Sequence, residues 1–78
     1  MKKTHKVKER YKKKLTTLGK NIKKLREARG FTQEYIAFNS DIAFSTLNSI
    51  ENGHVNPTIG TLYAIADTLK VSLSELVD

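Results

Sequence analysis

Few residues of this 78-residue sequence could carry out catalysis. His5 and His54 are the only histidines, cysteine is absent, and no acid–base pair has a spacing that indicates catalysis. The four glycines fit helix ends or helix breaks and form no phosphate-binding loop. Residues 44–49, by contrast, carry three hydroxyl groups and one carboxamide, which form hydrogen bonds. The sequence therefore predicts a binding protein rather than an enzyme, without a cofactor, metal or small-molecule ligand.

The basic residues are concentrated in the N-terminal part of the chain. Thirteen of the 14 lysines and arginines lie in residues 1–29 beside two acidic residues, so this segment has a net charge of +11. Residues 30–78 contain one lysine and six acidic residues, a net charge of −5. A basic block of this size indicates a nucleic-acid partner, although a solvated helix face that aids solubility is the other interpretation.

The length allows one small domain. A chain of this size buries about 60–65% of the surface that its unfolded form exposes, which leaves no room for a deep catalytic cleft. No apolar run is long enough to span a membrane, and no apolar segment follows Lys2 and Lys3 as it would in a secretory signal. We therefore expect a cytoplasmic protein that does not contact a membrane.

The elements that position the hydrogen-bonding residues are predicted to be helices. An apolar stripe with steps of three and four residues predicts a first helix that ends before Gly30, with a break near Thr16–Gly19; the stripe consists of Val7, Tyr11, Leu15, Leu18, Ile22 and Leu25. Caps and stops predict three more helices over residues 33–39, 44–51 and 59–69. Ser72-Leu73-Ser74-Glu75 has the pattern of a capping box that opens a last, short helix.

The predicted architecture is therefore all-α, with five helices in residues 17–78. Residues 1–16 form a basic N-terminal extension that is either disordered or helical. The expected core residues are aliphatic or small; they are Ile22, Leu25, Ile36, Ala37, Ile42, Leu47, Ile50, Leu62, Ile65, Ala66, Leu69, Val71, Leu73 and Leu76. Tyr35, Phe38 and Tyr63 fit neither the core nor a polar surface, and at least one of them is a candidate contact for a partner.

Residues 33–52 have the spacing of two helices that cross at a tight angle. Ala37 supplies the small residue where the two backbones meet, and Asp41 occupies the turn position that favours glycine or a positive φ. Leu47 and Ile50 supply the aliphatic side chains that face the partner helix. This spacing predicts a helix-turn-helix.

Residues 31–76, FTQEYIAFNSDIAFSTLNSIENGHVNPTIGTLYAIADTLKVSLSEL, resemble the Xre family, which includes phage repressors and Cro. The resemblance is carried by Thr-Gln-Glu at 32–34, Ile-Glu-Asn-Gly at 50–53 and Asn-Pro at 56–57, and it extends over roughly residues 18–77. It implies a five-helix, lambda repressor-like domain in a sequence-specific DNA-binding regulator of transcription, expected to be a repressor.

The resemblance also implies which residues contact double-stranded DNA. The helix at 44–51 is expected to enter the major groove, with base-facing side chains from Phe44, Ser45, Thr46, Asn48 and Ser49. Residues expected at phosphates are Thr32, Gln33, Asn52, His54 and Asn56. Arg26 and Glu51 stand where the family often has an ion pair that joins the first helix to the end of the third.

The expected recognition helix departs from the family because it lacks the arginine or glutamine that commonly stands at Phe44 and Ser49. Asn48 alone offers two hydrogen bonds to one base, whereas Phe44 is suited to a thymine methyl group or to a protein partner. A domain of charge −5 attracts phosphates weakly. The basic extension is therefore expected to supply phosphate contacts, from Lys2, Lys3 and Lys6 and from the basic residues at 8, 10 and 12–14.

The family resemblance implies a homodimer that binds a palindrome. The last helix, with Leu73, Leu76 and Val77, is the expected interface, and the apolar stripe of residues 7–15 is a competing one. The alternative function is a protein-interaction or antitoxin-like adaptor on the same fold. Such an adaptor would use Phe44 and Tyr35 on a partner and would bind nucleic acid only non-specifically, through the extension.

Overall fold

The computed structural model describes residues 3–78, with side chains from Val7 onward. These residues form six helices and no strand; the helices are α1 (Lys3–Arg10), α2 (Lys12–Ala28), α3 (Gln33–Asn39), α4 (Phe44–Glu51), α5 (Ile59–Leu69) and α6 (Leu73–Val77). The all-α prediction is confirmed. The five predicted helices correspond to α2–α6, and α1 lies within the segment predicted as the N-terminal extension.

Helix α2 runs through Gly19 without interruption, so the predicted break near Thr16–Gly19 is wrong. Gly19 is needed for a close contact instead, because a Cβ atom there would collide with the carbonyl oxygens of Ile50 and Glu51. The irregularity lies at Tyr11, between α1 and α2. Its N–H still donates to the carbonyl of Val7 (3.2 Å) and its carbonyl accepts from Leu15 (2.9 Å), so the helical path is nearly continuous.

The core lies between α2, α3, α4, α5 and α6. Every predicted core residue belongs to it or packs against it, and the side chains with almost no exposure are Ile22, Ile36, Leu47, Ile50, Ile65, Leu69 and Leu76. Leu15 and Leu18 also lie in the core, which therefore begins inside the segment that we predicted as the extension. The division of the chain at residue 16 stays a prediction.

The turn between α3 and α4 is fixed by backbone geometry and by side-chain hydrogen bonds. Asp41 has a φ of 58°, the positive value expected at this position, and Ile42 N–H donates to the carbonyl of Ala37 (3.0 Å). The hydroxyl groups of Ser40 and Thr68 lie 2.9 Å apart, which ties the buried start of the turn to α5. These contacts hold the turn in place against α5.

Three helices begin with the caps that the sequence predicted. Thr32 accepts a hydrogen bond from Tyr35 N–H (3.0 Å), and Thr58 accepts one from Thr61 N–H (3.2 Å). Ser72 and Glu75 form the capping box of α6. Within the described residues, no helix combines the length and the apolar character needed to cross a membrane.

Candidate nucleic-acid interface

The C-terminal end of α4 is held by a buried ion pair. Arg26 donates from Nε to Glu51 Oε2 (2.7 Å) and from Nη2 to Glu51 Oε1 (3.1 Å), and it donates from Nη1 to the carbonyl of Phe31 (2.9 Å). Both side chains of the pair are nearly buried, and their hydrogen bond raises the pKa of Arg26 despite the opposing effect of burial. The predicted link between α2 and the end of α4 is therefore present in its bidentate form.

Gln33 joins this ion pair to the exposed part of α4. Its Nε2 donates to Glu51 Oε1 (2.9 Å) and to Asn48 Oδ1 (3.3 Å). A carboxylate only accepts hydrogen bonds, so Glu51 requires the nitrogen of the Gln33 amide to face it. The second hydrogen of that nitrogen then requires the oxygen of Asn48. Both side-chain donors of Gln33 are thus used within the protein, and Asn48 is turned towards α3.

A groove of about 350 Å³ runs beside α4 and brings together four of the residues expected at DNA. Ser45, Thr46 and Ser49 line its α4 side, and Asn56 lines its opposite side. Pro57, Thr58 and Thr61 complete the opposite wall. The groove offers hydroxyl and amide groups, which both donate and accept hydrogen bonds, beside the apolar side chains of Ile50, Val55 and Pro57.

The other expected DNA contacts lie outside this groove. Phe44 is half exposed at the first position of α4, and Thr32 is exposed at the start of α3. Asn52 donates its side-chain amide to the carbonyl of Asn48 (2.9 Å), which closes the last turn of α4. His54 is exposed and lies on the side of the loop that faces the N-terminal helices.

The N-terminal helices approach the loop that follows α4. A cavity of about 330 Å³ is lined by Lys8, Glu9, Lys12, Gly53 and His54. From the sequence, the two lysines were expected only as parts of a basic extension. Their spacing with Thr16 and Gly19 on one helix face was the available signal for this contact. Of the other expected phosphate contacts, Lys2 lies outside the described residues, and Lys3 and Lys6 lie in α1 with side chains outside the described part.

The exposed apolar side chains are distributed over several helices. Phe38 on α3 is 84% exposed, and Tyr35, Ile59, Tyr63 and Val77 are about half exposed. Leu76, which we expected at a dimer interface, is instead buried in the core of its own chain, and Leu73 packs against that core. Val77 is therefore the only one of the three predicted interface residues whose side chain is largely available. Among the described residues, no His, Asp and Glu side chains cluster as a metal site requires.

This arrangement is similar to that of known proteins. The helix-turn-helix family model HTH_3 matches residues 22–76. The uncharacterized HTH-type transcriptional regulator y4dJ of Sinorhizobium fredii is 43% identical over 60 residues, which cover 77% of this chain and 78% of that protein. Two further relatives, the immunity repressor protein of Bacillus phage phi105 and the regulator SlrR of Bacillus subtilis, are longer. The matched segment spans 42% and 41% of their lengths.

Solved structures have the same fold. The restriction-modification controller protein C.AhdI from Aeromonas hydrophila has a TM-score of 0.78 at 31% identity, and the match covers 80% of this chain and 94% of that one. The restriction-modification controller protein C.Esp1396I, as a tetramer in complex with its natural 35 base-pair operator, has a TM-score of 0.70 at 30% identity; here the match covers 82% and 95%. The protein therefore belongs to the helix-turn-helix family of transcriptional regulators, which is not a family of enzymes, as the resemblance to phage repressors and Cro predicted.

Proposed function

We propose that this protein binds double-stranded DNA at specific sequences and represses transcription, with α4 in the major groove. The observation that carries the proposal is the asymmetry of α4. Its C-terminal end is fixed by Arg26 and Gln33, whereas its first turn and the adjoining groove expose polar groups. A helix held rigidly at one end and exposed at the other is suited to presenting side chains to base edges.

The proposed base contacts follow from the positions of the side chains. Ser45, Thr46 and Ser49 line the α4 side of the groove, and their hydroxyl groups bond to donors or acceptors on any base. Phe44 adds apolar contact with a thymine methyl group, which favours A·T pairs. Asn48, with its oxygen held by Gln33, offers its side-chain nitrogen as the free donor.

The proposed phosphate contacts lie at the start of α3 and after α4. They include Thr32, Asn52, His54 and Asn56. At Gln33 the proposed contact is the backbone at the start of α3, because both side-chain donors of Gln33 are used within the protein. The lysines of the extension, including Lys2, Lys3 and Lys6, supply the charge that residues 30–78 lack. Neutralising about five phosphates would give a plot of log affinity against log salt a slope of −4 to −5.

A homodimer belongs to the same proposal, because one short helix contacts only a few base pairs and two copies contact a palindrome. C.Esp1396I is a tetramer in complex with its natural operator, which supports assembly of more than one copy here. The exposed part of α6, at Val77, is the proposed interface. A protein that covers a promoter excludes polymerase from it, so repression is the proposed outcome, in the cytoplasm.

Selection of bound sequences from a random duplex library, at moderate salt, tests the proposal. Enrichment of a palindrome would support it, and the same selection with Phe44→Ala should weaken the preference at A·T positions. Failure to enrich any motif, with non-specific binding retained, would contradict it and favour an adaptor. A protein-interaction adaptor is the second candidate function, because three aromatic side chains are exposed and could contact a partner protein: Phe38, Tyr35 and Phe44.

A further inference from the structure

One face of the N-terminal helices follows the end of α4 and the loop after it. Lys8, Lys12, Thr16 and Gly19 are separated by steps of four, four and three residues, which place them on the same side of a helix. Gly19 lies against the last carbonyl groups of α4, and Thr16 lies against the backbone of Gly53. Lys12 and Lys8 extend this line past Gly53 and His54.

The Thr16 contact holds the helix that carries the two lysines against the loop after α4. Gly53 has a φ of +73°, and a Cβ atom there would come within 2.9 Å of Thr16 Cα and Oγ1. The loop after α4 and the helix that carries the lysines therefore touch through backbone atoms, which move little. Because Tyr11 interrupts the helical hydrogen bonding only slightly, Lys8 is carried by the same nearly continuous helix as Lys12.

We infer that Lys8 and Lys12, together with His54, form a seat for DNA phosphates immediately beyond the C-terminal end of α4. This inference rests on the proposed function and adds a fixed contact to it. The occupant is the sugar–phosphate backbone that flanks the base pairs covered by α4. The extension then acts as a rigid helical element with a defined position on the duplex, and not as a flexible tether that attracts any phosphate.

The charges near the seat fit an anionic occupant. Both lysines and His54 are exposed, and the other charged groups on residues 7–14 are Glu9, Arg10, Lys13 and Lys14. Glu9 is the single acidic group among them and also lines the cavity. Its carboxylate opposes a phosphate, so replacing it with a neutral residue should strengthen DNA binding.

Favourable interaction of the lysines with the dipole at the C-terminal end of α4 is the competing explanation for their position. The two explanations differ in what they predict. If the role is purely structural, replacing the lysines should lower the free energy of unfolding. DNA affinity should then fall only as much as it does when the same number of charges is removed elsewhere on the extension. The phosphate seat makes them affect DNA binding more than equally charged neighbours do.

A matched pair of double variants separates these roles. Lys8→Gln/Lys12→Gln removes two charges from the seat, and Arg10→Gln/Lys14→Gln removes two charges at the same spacing from the opposite face of the helix. Affinity for the selected palindrome is measured against salt for both variants and for the wild type, and urea unfolding is measured in parallel. Ethylation interference with the wild type and each variant identifies the phosphates whose modification prevents binding.

The seat predicts that Lys8→Gln/Lys12→Gln makes the slope of log affinity against log salt less steep by about 2, whereas the control pair changes it by less than half as much. Interference at phosphates flanking the motif should disappear only in the seat variant, and Glu9→Gln should bind more tightly than the wild type. Equal effects of the two pairs, or flanking interference that persists in the seat variant, would overturn the inference while leaving sequence-specific binding intact. Absence of any selected motif would instead count against the proposed function.

A change that keeps every charge tests the rigidity of the helix. Tyr11→Pro removes the N–H that donates to Val7 and breaks the path between α1 and α2. A rigid seat predicts that this variant loses the flanking interference due to Lys8, although its net charge is unchanged. Retention of the interference would show that the lysines act from a flexible segment.

Discussion

The two ends of α4 differ in most of their physical properties, although they are only about two helical turns apart. At the C-terminal end, Glu51 is buried and accepts hydrogen bonds from Arg26 and Gln33. At the N-terminal end, Phe44 is half exposed, and the cap residue Ala43 makes no side-chain hydrogen bond. The chain therefore specifies where the helix lies much more strongly than what its exposed end contacts.

This difference predicts that substitutions at the two ends of α4 have different effects. Changes at the buried end alter the position of the whole helix, because its contacts with α2 and α3 depend on each other. Changes at the exposed end alter the groups offered to a ligand and leave the position intact. Substitutions at the two ends should therefore affect different measurements.

The largest effect is expected at the ion pair. Glu51→Ala should lower the free energy of unfolding by about 3–5 kcal/mol, because it leaves the guanidinium of Arg26 buried without its partner. Urea unfolding monitored by circular dichroism measures this loss. The double variant Arg26→Ala/Glu51→Ala is the control and should lose less than the sum of the two single variants. A loss below about 1 kcal/mol for Glu51→Ala would contradict a structural role for the pair.

The next largest effect is expected where α2 crosses α4. Gly19→Ala should destabilise the protein by about 2 kcal/mol, since the added Cβ meets backbone carbonyl groups that cannot easily move. Gly60→Ala is the matched control, because the nearest atom to its Cβ is Thr58 Oγ1 at 3.9 Å. That control should stabilise the protein by roughly 0.5–1 kcal/mol through helix propensity. The melting temperatures of both variants show whether each helix position has room for an added Cβ.

At the exposed end, Phe44→Ala should weaken binding to the selected DNA about tenfold, or about 1.4 kcal/mol, through loss of contact with a thymine methyl group. Its free energy of unfolding should change by less than about 0.5 kcal/mol, because Phe44 is half exposed and lies outside the hydrophobic core. Fluorescence anisotropy with a labelled duplex measures the affinity. Unchanged DNA affinity would show that Phe44 contacts something other than DNA.

The smallest effect is expected at Gln33, which connects the two ends. Gln33→Ala should cost only about 1 kcal/mol of unfolding free energy, because Glu51 keeps both of its hydrogen bonds from Arg26. It also removes the donor that orients the amide of Asn48, so the side-chain NH₂ signals of Asn48 should shift in a ¹⁵N spectrum. Thr32→Ala, which removes the cap of the same helix, is a control for general loosening of α3. An unshifted Asn48 signal would contradict the link between the two ends.

The parts of the fold that local signals determine could be predicted from the sequence. The bounds of α3, α4 and α5 follow from caps and stops within a few residues of each end, and the positive φ of Asp41 follows from its place in the turn. The ion pair between Arg26 and Glu51 was expected from the family resemblance. The core residues followed from their spacing along each helix.

The parts that depend on distant residues could not be predicted. A glycine inside a helical pattern indicates either a break or a close contact, and only the proximity of the end of α4 decides between them at Gly19. Gln33 appeared free to donate to a phosphate because its acceptor, Glu51, is distant in sequence. In the same way, the spacing of Lys8 with Thr16 and Gly19 indicates a shared helix face, but not that His54 lies beside it.

Because the helical path from α1 into α2 is nearly unbroken, the number of residues between Lys8 and α2 sets the direction in which Lys8 points. Each residue inserted near Tyr11 would turn everything before it by about 100° around the helix axis and advance it by about 1.5 Å. One inserted residue would point Lys8 away from the loop after α4, and seven would return it to nearly its original direction about 10 Å farther out. Variation of the length of this segment should therefore change function periodically and not monotonically.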